Sequence, residues 1–107
     1  MRNQGKPRRA GKRWLEGSPE YVLDCFDNGG KTADRYTVLF GGSLSCGSVP
    51  YLGMSDSPTH PQGVSMWGEL RSHEAAGYRH RSGRERVRWL DLPDHIRRHV
   101  VSRATEE

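Results

Sequence analysis

No stretch of this chain approaches the roughly twenty consecutive apolar residues that cross a bilayer as a helix. The cationic N-terminal segment is followed by no apolar core of the kind a secretory signal carries. The expectation is therefore a cytoplasmic protein without a membrane anchor. Aliphatic and aromatic bulk is also scarce. Leu, Ile, Val and Phe make up less than a fifth of the 107 residues, with a single isoleucine and two phenylalanines. That lies below the usual content of a well-filled core. Three Trp and four Tyr restore part of the missing bulk, so the length and composition allow one small domain of modest stability, completed by a partner or by self-association.

Cysteine is nearly absent. Cys25 and Cys46 form no C-x-x-C and no spaced metal pair, and without an export signal two reduced thiols are expected. Cys25 falls in a strand-like run and is expected in the core. Acidic residues are missing from the first thirteen positions, where Arg2, Lys6, Arg8, Arg9, Lys12 and Arg13 supply six cations. From Trp14 onward there are 11 Lys and Arg against 13 Asp and Glu. The net charge of +4 thus belongs to the N-terminal segment and not to the domain. Gly5, Pro7, Gly11, Gly17 and Pro19 lie in or near the same stretch, which cannot bury enough apolar surface to offset the entropy of ordering it. Residues 1–20 are expected to form a flexible basic arm, and 21–107 a single small α+β domain.

The remaining pattern points to a small antiparallel sheet with a C-terminal helix. Residues 21–28 and 35–41 alternate at the strand period, placing Val22, Asp24 and Phe26 on one face and Tyr36, Val38 and Phe40 on one face. Between them, Asn28-Gly29-Gly30 supplies the positive-φ positions of a tight reversal. Short strands are expected at 51–54, 64–70 and 86–90. Pro58 and Pro61 make 55–63 a loop, 41–50 is a Gly/Ser-rich connection, and 71–83 has no clear period. Asp91-Leu92-Pro93-Asp94 reads as a helix start with Asp91 as N-cap. From there Leu92, Ile96, Val100 and Arg103 fall on one stripe at helical spacing, and the helix is expected to end near Ala104.

Few residues suggest chemistry. Asp24, Asp27 and Asp34 gather around the hairpin but have no paired acid motif downstream. They are better read as caps of the turn and partners of Lys31 or Arg35. His95 and His99 are spaced to share a helix face, yet lack both the intervening Glu of a metalloprotease and a third ligand. The turn ends in Lys31-Thr32 as a phosphate loop does, without its spacing and with a strand after it. No catalytic residue, metal site or cofactor is indicated. The basic arm, above all Arg8, Arg9, Lys12 and Arg13, suits contact with nucleic-acid phosphates or an acidic protein surface. Trp14 would either stack on a base or anchor the arm, and Arg79 and Arg81 would extend the surface. Alternation explains Arg84, Arg86 and Arg88 as the wet face of an edge strand. His60 and Gln62 stand on the proline-stiffened loop as a partner-binding pair.

The run 27–38, with 51–55 and His60-Pro61-Gln62-Gly63 after it, resembles a group of small uncharacterised proteins of phages and mobile elements. The likeness spans about residues 21–104. It implies an accessory protein in a bacterial cell and carries over no catalytic residue. Three functions follow as expectations. The first is a non-enzymatic binding protein whose arm contacts nucleic acid or an acidic protein surface. The second is a module that sequesters a host component through the 59–63 loop and the hairpin tip. The third is a small metal-dependent hydrolase or nuclease using Asp27, Asp34 and His60.

Overall fold

The chain reverses at Asn28 because two consecutive side chains satisfy the turn's own backbone. Asp27 accepts a hydrogen bond from the Gly29 amide (2.7 Å), and Asn28 Oδ1 accepts from the amides of Gly30 (2.7 Å) and Lys31 (3.1 Å). Gly29 and Gly30 take φ values of 76° and 88°, a region that Cβ makes costly for other residues. A computed structural model describes residues 12–41, 48–78 and 84–105. Arg8, Arg9, Cys46, Arg79 and Arg81 lie outside the described residues.

The elements are α1 (Lys12–Leu15), β1 (Val22–Asp27), β2 (Tyr36–Phe40), β3 (Val49–Met54), β4 (Ser65–Leu70), α2 (Ser72–Ala76), β5 (Glu85–Arg86), a 3₁₀ turn at Trp89–Asp91, and α3 (Asp94–Ala104). The strands form one antiparallel sheet in the order β4-β3-β2-β1-β5. The expected α+β class, hairpin and C-terminal helix are all present. Among the described residues, no helix is long and apolar enough to cross a membrane.

Both faces of the sheet are covered. On one, Val22, Cys25, Tyr36, Val38, Phe40, Leu52 and Met54 pack against Leu92, Ile96 and Val100 beneath α3, with Leu15 and Trp89 at the side. On the other, Leu23, Phe26, Leu39 and Val49 meet Ala75 of α2, with Tyr51, Leu70 and Tyr78 around them. The Phe26 and Tyr78 rings meet edge to face with centroids 5.0 Å apart, a favoured aromatic geometry.

Several expectations change. Val22 pairs with Phe40 but Asp24 pairs with Leu39, so Leu23 is the extra residue of a β-bulge. The bulge shifts the alternation: Val22 and Cys25 face α3, whereas Asp24 and Phe26 face the other way. Tyr36, Val38 and Phe40 do share the α3 face. β3 starts at Val49 rather than 51. Pro50 fits there because the β2 pairing ends at Leu39↔Tyr51, while on the other side it pairs with Glu69 of β4. The expected strand at 86–90 shrinks to Glu85–Arg86, and Trp89 is drawn into the core by the 3₁₀ turn. Asp91 caps that turn, accepting from the Arg88 amide at 3.1 Å, and α3 starts three residues later with Pro93 as its N-cap. On α3, Ala104 joins Ile96 and Val100 as the buried set, and Arg103 instead lies over the Trp67 ring.

Lys12–Leu15, expected within a flexible arm, instead form a helix that packs on the domain. Leu15 is buried in the core, and Trp14 packs against it. Burying those two side chains offsets the entropy that composition alone leaves unopposed.

Candidate functional site

Two turns far apart in sequence meet at one end of the sheet. One is the tip of the β1–β2 hairpin; the other is the 55–63 loop between β3 and β4, of which β3 pairs with β2. The loop is folded on itself. Ser55 bridges it with a backbone bond to Val64 (3.0 Å) and an Oγ that accepts from the Val64 amide (2.9 Å). The His60 amide donates to Ser57 O (3.1 Å), and the Gly63 amide to His60 O (2.8 Å). A Cβ on Gly63 would lie 2.0 Å from Ser57 O, so no other residue fits without opening the loop.

Arg35 holds the two turns in register. Its Nε and Nη2 donate to the two oxygens of Asp27 (2.9 and 3.3 Å), and its Nη1 donates to Asp56 of the loop (3.1 Å). His95 on α3 donates from Nε2 to the Asp56 carbonyl at 2.6 Å, so the helix braces the same loop. Partial burial pushes the Asp27 carboxyl up, but the Arg35 hydrogen bond and the Gly29 amide outweigh it and hold the group below the ordinary carboxylate value. The guanidinium of Arg35 is correspondingly held charged.

Between the turns lies an open cavity of about 630 Å³. Gly30 to Ala33 of the hairpin form one wall, and Ser55, Asp56, Ser57, His60 and Gln62 form the other. His60 Nδ1 accepts the Gln62 amide at 3.0 Å, which places the proton of the neutral ring on Nε2. Nε2–H is therefore the donor His60 has left to offer. Lys31 is exposed and makes no ion pair among the described residues. It is also the only lysine after residue 12. Arg35, by contrast, is already shared between two carboxylates.

The structure thus brings His60 and Gln62 together with the hairpin tip. The hairpin tip, with Lys31 and Thr32, was expected beside this loop only in the sequestering reading; Ser55 and Asp56, which the sequence did not single out, belong to the same cavity. The only signals for them were the polar loop compositions.

The other candidate residues are engaged elsewhere. Asp24 pairs with Arg86 (3.2 Å), Asp27 with Arg35, and Asp34 with Arg84 (3.1 Å). Asp34 also accepts from Thr32 Oγ1 at 2.5 Å. Among the described residues, no group of three or more His, Cys, Asp or Glu is placed to hold a metal ion. Arg84 and Arg86 are therefore not a wet edge face. Arg84 also donates to Tyr78 Oη (2.8 Å), and Arg86 lies over the Trp14 ring at 5.4 Å. Their edge position does hold for β5, which ends the sheet beside β1. Arg88 is exposed and paired with Asp91. His95 and His99 do not simply face solvent, because His99 Nε2 is hydrogen-bonded to Ser65 Oγ at 2.7 Å. Of the basic segment, Arg13 is exposed and Trp14 is half-buried against the core. Lys12 opens α1.

The chain matches no family model, no curated protein and no solved structure.

Proposed function

We propose that this is a non-enzymatic binding module that docks an acidic protein surface at the cavity between the hairpin tip and the 55–63 loop. The observation that carries this reading is the convergence of two self-braced turns on one donor-rich cavity, with Lys31 unpaired at its wall. Rigid loops on a sheet scaffold are the usual place for recognition residues. The basic segment, with Arg8 and Arg9 in it, adds long-range attraction toward an acidic partner. The resemblance to phage and mobile-element proteins fits an accessory role in a bacterial cytoplasm, such as sequestering a host component.

Nucleic-acid contact by the basic segment is the second reading, favoured by six cations and no acid in the first thirteen residues. It gains nothing from Arg84, Arg86 or Arg88, which are committed to carboxylates. The two readings separate in affinity capture from bacterial lysate with the full chain. Docking at the cavity retains one stoichiometric protein at moderate salt, loses it on Lys31→Glu, and tolerates Arg8→Gln with Arg9→Gln. Recovery of nucleic acid instead, with a log K against log salt slope of about −5 for six phosphate contacts, would overturn the cavity reading.

A further inference from the structure

A second depression, of about 230 Å³, lies on the sheet face away from α3 and is walled by Tyr51, Gly53, Met66 and Asp34. Ala33 and Val64 line both this slot and the polar cavity, so the two share a wall. The slot exists because of two glycines. Gly53 leaves the β3 backbone bare opposite Met66. Gly68 lets the Tyr51 ring lie across β4, since a Cβ there would meet the ring carbon at 2.3 Å. Met66, paired with Gly53, remains 62% exposed. The slot has mainly apolar walls and room for one leucine- or phenylalanine-sized side chain, whereas the adjoining cavity presents the Lys31 ammonium and the donors of His60 and Gln62.

We propose that the cavity and the slot form one two-part site for a partner segment that carries a carboxylate side chain beside an apolar one. The inference rests on the reading that the cavity is a docking site, and it names what docks there. The acid sits against Lys31 and the remaining donor of His60, and the apolar neighbour fills the slot and covers Met66. Charge complementarity chooses a carboxylate, because Lys31 brings an unmatched positive charge while Arg35 is already held by Asp27 and Asp56. Apolar burial fixes the orientation across the shared wall, and neither half alone binds tightly.

The test is an amide-shift titration of the full-length, isotopically labelled protein with short synthetic peptides. The peptides hold a Leu–Glu or Glu–Leu pair, and controls replace Leu by Ser or Glu by Gln. The expected result is perturbation of amides on both sides of the wall, at Lys31 and Thr32 and at Ser65 and Met66. Each control peptide should bind about tenfold more weakly, the factor typical of losing one apolar or charged contact. Met66→Thr, which keeps a strand-compatible residue at an exposed position, should erase the Leu preference, and Lys31→Gln the Glu preference. If acidic peptides move the cavity amides alone and Met66→Thr changes nothing, the two-part site is wrong while docking at the cavity stands. If no peptide moves either set, both fall. A short oligothymidylate that moves the Lys31 amides in place of the peptides would likewise overturn the proposal.

Discussion

The ring of Tyr51 lies across Gly68 of the neighbouring strand so closely that a Cβ at Gly68 would sit 2.3 Å from its Cζ and 2.5 Å from its hydroxyl oxygen. The pair are direct cross-strand partners between β3 and β4. The missing side chain is thus what lets an aromatic ring close over the sheet edge. Gly68→Ala should force the ring to swing away and destabilise the protein by about 1–2 kcal/mol, as overpacking does. In a Tyr51→Ala background the same change should cost far less. Denaturant midpoints of the four proteins in this cycle provide the check.

Thr37 stands at the centre of the sheet, opposite Phe26 and Gly53, and is 1% exposed. Its hydroxyl has no hydrogen-bond partner among the described residues. A buried donor left unpaired carries a desolvation cost, and valine has nearly the same shape without it. Thr37→Val should stabilise the fold by about 1 kcal/mol, read from thermal or urea unfolding. A loss of stability would mean that the hydroxyl has a partner.

Asp24 and Arg86 form a half-buried ion pair that ties the bulge of β1 to the edge strand β5, and Arg86 also covers Trp14. Asp24→Ala removes the partner of a cation already withdrawn from water. The expected loss is about 2 kcal/mol, below the range for fully buried pairs because both groups keep some exposure. Faster amide exchange at Arg86 and Trp14 should accompany it, since β5 and α1 are held through this contact.

Asp27 is held below the ordinary carboxylate value by Arg35 and the Gly29 amide, against the upward push of burial. A group whose folded-state value is depressed adds stability at pH above its unfolded value, about 4, and loses it as pH falls through the folded one. Asp27→Asn should therefore be less stable than the natural protein near neutral pH. The difference should close as the pH drops below about 4. Equal gaps at all pH values would show that the pair contributes nothing through ionisation.

Cys25 is fully buried and unbridged. Burial first, and the negative charge of Asp24 second, push its thiol well above the ordinary range. Thiolate chemistry at this position is closed in the native state. Alkylation followed by mass mapping should leave Cys25 unmodified until denaturant is added. Labelling of Cys25 itself in the native protein would overturn its placement in the core.

Local chemistry wrote much of this fold into the sequence. Asn28-Gly29-Gly30 specifies its own reversal, because the side-chain acceptors and the positive-φ residues are neighbours in the chain. The spacing of Ile96 and Val100 specifies the face that α3 buries, because helical periodicity alone brings those two together, while Leu92 joins them from the turn that precedes the helix. The site was less legible: His60, Gln62 and the hairpin tip stood out, whereas Ser55 and Asp56 did not.

What tertiary structure decided has a common physical cause, which is that the deciding partner lies far along the chain. The bulge at Leu23 shows only when β2 is laid beside β1, and it reverses the faces of Asp24 and Phe26. Arg84 and Arg86 read as solvated until Asp34 and Asp24 come within ion-pair distance. His95 finds Asp56 across 39 positions and His99 finds Ser65 across 34. The cavity itself belongs to neither turn alone, since the hairpin tip and the 55–63 loop adjoin only because β2 and β3 pair with Tyr36 opposite Met54. Sequence determines each turn through neighbours in the chain; only the pairing of strands determines which turns become neighbours in space.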